Sequence, residues 1–303
     1  MNALTTAAAD YLAVRRALGY KLIDHDRQLA SFVAYLDSHA TATVTVTAAL
    51  DWATSDQHRN RAQRLTIVRG FARYLQALDP VHEVPPTRLL PTRRTRPVPH
   101  LYSQADVTAL MDAARKLEPP LRAATTETVI GLLAVTGMRI GEVLRLDVAD
   151  IDWDAGVLTV WLSKFNKSRH VPLTASTVAA LARYDQCRRQ ILPTATNPAM
   201  FVSRAGNRLT YPTFVAAFAT LLDTTAISTS GQRPRIHGFR HSFAVTTVLG
   251  WYRQGADVQA LLPRLSTYLG HADPASTYWY LSAAPELMAI AAQRLDQHRQ
   301  AHR

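Results

Sequence analysis

From Thr5 to about Ala77 apolar residues recur at helical spacing, with no strand-like alternation of any length and breakers only between segments. This half of the chain is expected to be all-α. Its last helix is predicted over roughly Gln57 to Leu78, where Leu65, Val68, Ala72 and Leu75 form one stripe. Arg59, Arg61, Arg64, Arg69 and Arg73 run through the same helix with no acidic residue among them, so a packing stripe and a positive face for phosphate are expected.

The pattern breaks between Val84 and His100. Five prolines in VPPTRLLPTRRTRPVPH block regular helix and favour an extended strap, made basic by Arg88, Arg93, Arg94 and Arg96. Residues 1–88 are therefore read as an N-terminal helical domain, 89–100 as a basic Pro-rich linker and 101–303 as a second domain. The second domain begins with an N-cap at Ser103 and the helix SQADVTALMDAARKL; another apolar helix ends at Val135 in a turn at Thr136 and Gly137. The stretch DIDWDAGVLTVWLSKFNKSRHVPLT departs from helix. Asp154 to Gly156 signals a turn, Val157 to Leu162 is β-rich, Lys164 to Ser168 forms a polar tip, and His170 to Leu173 returns. From Tyr211 onward the chain reads as helices and loops. The expected fold is mainly α with a small antiparallel β-sheet: an all-α domain followed by an α+β domain.

Composition narrows the partner. A chain of 303 residues exceeds what one core usually organises, and 48% hydrophobic residues suffice for two. Lys and Arg total 34 against 23 Asp and Glu, a net charge of +11 that favours a polyanion, either nucleic acid or an anionic membrane surface. No run of about 18 apolar residues appears, and the N-terminal segment carries Asp10 without a basic lead into an apolar stretch, which weakens the membrane reading. Cys187 is the sole cysteine, so an intrachain disulfide and a thiolate metal cluster are excluded and a cytoplasmic address fits. Its surroundings, ARYDQCRRQIL, read as an amphipathic helix in which the thiol is structural.

Four separated segments set basic, hydrogen-bonding or nucleophilic residues beside turn residues: TGMRIGEVLRL, SKFNKSRHVPL, HGFRHSFA and YLGHADPASTYWY. In this order they resemble the signature boxes of the tyrosine recombinases, the phage-integrase family, and the resemblance spans the second domain. It implies a helical core-binding domain joined to a catalytic domain as a C-shaped clamp on double-stranded DNA. Arg139 matches the first catalytic arginine; a structural salt bridge with Glu142 is the alternative. Lys164 matches the hairpin lysine, with Lys167 its competitor. His237 and Arg240 match the H-x-x-R pair, and His271 the second histidine. Tyr268, Tyr278 and Tyr280 all lie near His271, and the family's spacing of nine residues selects Tyr280 as nucleophile. In a helix Tyr278 and Tyr280 would sit about 200° apart, so only one faces the arginines.

The residue types suit the chemistry independently of the likeness. A tyrosine phenol, with a pKa of about 10, can hold a phosphate covalently and still leave for religation. Paired guanidiniums such as Arg139 and Arg240 suit the charge on non-bridging oxygens. A lysine at a hairpin tip can protonate the departing 5′-oxygen, and the two histidines can hydrogen-bond phosphate or move protons. Expected DNA contacts are Arg59, Arg61, Arg64, Arg93, Arg94, Arg96, Lys167 and Arg169. No carboxylate cluster or Gly-rich phosphate loop is present, so no metal, cofactor or small-molecule substrate is expected.

The resemblance implies strand exchange by a tetramer on two duplexes, or by an assembly with related recombinases, and a final helix around Leu287, Ile290 and Leu295 that docks on a neighbour. A silent DNA-binding regulator and a type IB topoisomerase-like enzyme are the competing functions.

Overall fold

A computed structural model describes residues 3–20, 22, 24–55, 60–91, 99–161, 168–193, 197–225, 227 and 233–270. The chain divides into two compact units, Met1–Arg96 and Pro97–Arg303. No described helix is long and apolar enough to cross a membrane.

The first unit holds α1 (Ala3–Ala17), α2 (His25–Ser38), α3 (Val46–Thr54) and α4 (Arg61–Leu78), and no strand occurs among its described residues. Thr45 starts α3 by accepting from the Ala48 N–H. Phe32, Leu36, Trp52, Val68 and Phe71, all 2% exposed or less, form its centre. The α4 stripe packs as the periodicity predicts, and Ile67 joins it. The opening of the strap belongs to this unit: Arg69 donates from Nε to the Pro85 carbonyl and from Nη2 to that of Pro86, each at 2.7 Å. Val84 and Leu90 pack against the same core.

In the second unit α5 (Gln104–Arg115) opens on a capping box between Ser103 and Asp106, and α6 (Pro120–Thr136) packs along it. α6 ends at Gly137, which takes φ +60, and a Cβ there would lie 2.5 Å from the Phe243 ring. Glycine is thus required twice over at the turn that leads into Arg139. The short helix α7 (Ile140–Val143) follows, then β1 (Ile151–Asp152), β2 (Val157–Val160) and β3 (Arg169–Pro172) in one antiparallel sheet of that order. The register sets Leu158 opposite Val171 and Val160 opposite Arg169. Both hairpin arms fall within two residues of their predicted positions.

Then come α8 (Ala175–Ile191), α9 (Tyr211–Thr224), α10 (Gly238–Arg253) and α11 (Val258–Leu269). Val245, Val248, Val258, Leu262 and Leu265 form a satellite core between the last two helices. Cys187 lies on α8, half-buried.

Candidate active site

Arg139 is the N-cap residue of α7, extended at φ −76, ψ 140, and Glu142 is three residues on. The Arg139 backbone N–H donates to Glu142 Oε2 at 3.0 Å and its Nη1 to Oε1 at 2.8 Å. Arg169, at the start of β3, grips the same carboxylate with Nη1 to Oε1 at 3.1 Å and Nη2 to Oε2 at 2.8 Å. Glu142 is 3% exposed. Burial alone would raise its carboxyl pKa, but the hydrogen bonds and charge of Arg169, with those of Arg139, outweigh this and hold it at about 2. The segment that follows α7 is pinned by Arg208, whose Nη1 donates to the carbonyls of Leu144 and Leu146 and whose Nη2 pairs with Asp147.

Arg240 rises from the first turn of α10 and is 1% exposed. Its Nη1 donates to the Gly137 carbonyl at 2.9 Å and its Nη2 to that of Leu269 at 2.5 Å, tying α10 to the end of α6 and the end of α11. The α11 end is where the three arginines meet. The successive carbonyls of Tyr268, Leu269 and Gly270 accept from Arg169 Nε at 2.7 Å, Arg240 Nη2, and Arg139 Nη2 at 3.0 Å. A helix C-terminus leaves its last carbonyls without backbone partners and carries partial negative charge, so three guanidiniums satisfy it doubly. Gly270 caps the helix at φ +67, and the next residue in the chain is His271.

His237 is the N-cap of α10 and an exposed residue, with His241 edge-on at 4.6 Å between ring centroids. Desolvation by the surrounding protein, and then the charges of Arg240 and Arg139, hold its pKa down to about 4. Of the guanidiniums, Arg139 reaches the surface most, with a side chain 26% exposed against 10% for Arg169. Tyr268 stacks on Phe243 at 5.6 Å, and burial raises its phenol pKa despite the nearby charges of Arg169 and Arg240. That environment suits packing and not a nucleophile.

Arg139, His237 and Arg240 are thus drawn together from three separate segments. Lys164, Lys167, His271, Tyr278, Tyr280, Arg59, Arg93, Arg94, Arg96 and the C-terminal segment from Leu287 lie outside the described residues. Two of the expected DNA contacts are mostly buried. Arg169 bonds Glu142 and the α11 end, with its side chain 10% exposed. Arg64 is 6% exposed and its guanidinium stacks 4.0 Å above the Trp52 ring, which places it in the first unit's core. Arg61 is exposed on the same helix. Arg169 escaped a reading by spacing because its partner lies 27 residues away, whereas Arg139 and Glu142 are one helical turn apart.

Residues 101–286 match the phage integrase family. This chain belongs to that family. The match covers more than half of the chain, and its members named as tyrosine recombinases make this an enzyme of that class. y4rB of Sinorhizobium fredii, whose name proposes an integrase/recombinase, is 43% identical over 98% of each chain. The tyrosine recombinase XerD of Pseudomonas aeruginosa is 30% identical over 75% of this chain and 72% of its own. Among solved structures, a lambda integrase tetramer bound to a Holliday junction superposes with a TM-score of 0.63 at 16% identity, covering 91% of this chain and 76% of that one. At that identity the likeness speaks to fold alone.

Proposed function

We propose that this tyrosine recombinase acts on double-stranded DNA at specific sites, cutting and rejoining strands through a 3′-phosphotyrosyl bond to Tyr280. In the first step the Tyr280 oxygen bonds to the scissile phosphorus as the bond to the 5′-oxygen breaks. The phenolic proton passes to a histidine, His237 or His271, and Lys164 protonates the 5′-oxygen; religation reverses the step. Arg139 presents the guanidinium to the non-bridging oxygens, and Arg240 reinforces its charge from the buried floor. The chemistry calls for no metal ion or cofactor, because the guanidiniums supply the charge and a covalent ester stores the bond energy.

In this reading residues 1–88 form the core-binding domain, 89–100 the linker and 101–303 the catalytic domain, with Arg61 among the phosphate contacts. The enzyme works in the cytoplasm on nucleoid DNA, as a tetramer on two duplexes. The lambda integrase that shares this fold is a tetramer bound to a Holliday junction.

The observation that carries the reading is the meeting of Arg139, Arg240 and Arg169 at the α11 end, directly before His271, which precedes Tyr280 by nine residues. The test is covalent capture: wild type and Tyr280→Phe are incubated with fragmented host genomic DNA in excess chelator, denatured, and the protein-linked DNA is sequenced. The reading expects adducts at a preferred sequence for wild type and none for the variant. Sequence-specific binding without any adduct would replace it with a regulator. Adducts without sequence preference, formed by a monomer, would replace it with a topoisomerase-like enzyme.

A further inference from the structure

We infer that Arg169 is a positioning residue for the strand-cleavage step, acting by occupying Glu142 so that the charge of Arg139 is left for the scissile phosphate. The inference rests on the function proposed above and concerns a residue that never meets the substrate.

The geometry divides the carboxylate unequally. Glu142 accepts four hydrogen bonds, two to each oxygen, which is about its full lone-pair capacity. Arg169 takes the forked, two-oxygen grip, whereas the Arg139 side chain holds Oε1 alone and turns Nη2 to the Gly270 carbonyl. Forked Arg–carboxylate pairing is the stronger arrangement. Were Arg169 absent, the vacated positions on Oε1 and Oε2 would lie one helical turn from Arg139, whose guanidinium would take the fork itself. Its charge would then be spent on a buried carboxylate at 3% exposure, and its hold on the α11 end would be lost. Three guanidiniums around one carboxylate, two of them bonded to it, leave the site positive toward an incoming phosphate; without Arg169 it is half as positive.

Arg169 also joins separate parts of the site. Its Nε bonds the Tyr268 carbonyl at 2.7 Å, and its guanidinium bonds Glu142. One side chain therefore links β3, the arginine turn and the helix end ahead of His271. The packing is close: a Cβ on Gly270 would come within 3.1 Å of Arg169 Nη1.

The test uses a nicked duplex built on the sequence recovered by covalent capture, made once with an ordinary scissile phosphodiester and once with a methylphosphonate, which removes the charge that Arg139 would meet. Single-turnover cleavage is measured for wild type, Arg169→Gln, Arg169→Lys and Arg169→Gln with Glu142→Gln. On the phosphodiester the Gln variant is expected to lose roughly 10²-fold, the scale of a misplaced catalytic group. Lysine, which cannot fork, restores only part of this. On the methylphosphonate the defect of both single variants shrinks toward unity. The double variant, with no carboxylate to capture Arg139, cleaves the phosphodiester faster than Arg169→Gln alone. An equal loss on both substrates, in the Lys variant as in the Gln variant, would reduce Arg169 to a scaffold residue and overturn the inference, as would a wild-type rate. Absence of any adduct with the wild type would instead overturn the function on which it rests.

Discussion

Replacing Glu142 by glutamine keeps the side chain's shape and removes its charge from a site where two guanidiniums depend on it. A carboxyl held at about 2 against an ordinary 4.5 corresponds to about 3 kcal/mol of stability at pH 7, at 1.36 kcal/mol per pKa unit. This agrees with the roughly 3–5 kcal/mol lost when one partner of a buried ion pair is removed. The sign fixes the pH dependence. A carboxyl whose pKa is depressed on folding contributes fully above the unfolded value of 4.5 and loses that contribution as pH falls through 2. The gap between wild type and Glu142→Gln should therefore be about 3 kcal/mol at pH 7, about half that at pH 3, and vanish near pH 2. Urea unfolding at a series of pH values measures it, with Trp153, Trp161 and Trp251 reporting on the second unit. A gap under about 0.5 kcal/mol at pH 7, the size of an ordinary surface substitution, refutes the reasoning; so does a gap that stays constant down to pH 3.

Further outcomes concern Arg64, Arg61 and His237. Arg64→Ala should destabilise the first unit by about 2 kcal/mol, the scale of a desolvated cation–π pair. Arg61→Ala should leave stability within about 0.5 kcal/mol and lower the salt slope of DNA binding by about one; urea unfolding and salt-dependent binding distinguish them, and the reverse assignment contradicts the packing described. His237, held below its usual 6.5, is neutral at pH 7, and because the folded chain binds fewer protons between 6.5 and about 4, its contribution to stability falls as pH drops through that window. NMR titration of the imidazole should find a midpoint near 4 in the free protein and a higher one with duplex bound, since a phosphate offsets the charges of Arg240 and Arg139. A free midpoint at 6.5 would contradict the desolvation that chiefly holds it down, and the neighbouring charges with it.

The parts of the fold governed by local pattern were legible in the sequence. Helix periodicity, the Ser103 cap, the turn at Thr136 and Gly137 and the hairpin arms each depend on residues within a few positions of one another, and all appear where the pattern puts them. The hydrophobic stripe of α4 was legible too, but its width was not: Arg64 sits at its edge, and only the arrival of Trp52 from α3 turns that position inward. In the same way, nothing local to Arg169 tells a DNA contact from a strut. Its partners Glu142 and Tyr268 lie 27 and 99 residues away, and backbone carbonyls leave no mark in a sequence. The site residues could be named one by one from motifs, while the α11 end that gathers them could not.

Whether the assembled arginines serve a tyrosine that takes the DNA phosphate onto itself is decided by mass spectrometry of the trapped adduct. The covalent complex is digested with nuclease and then trypsin, and the peptide bearing a 3′-phosphonucleotide is fragmented. Cleavage after Arg264 and Arg294 leaves Tyr268, Tyr278 and Tyr280 on one peptide, so a single fragment series decides among them. The modification is expected on Tyr280. Its location on Tyr278, on Tyr268 or on a residue other than tyrosine would contradict it.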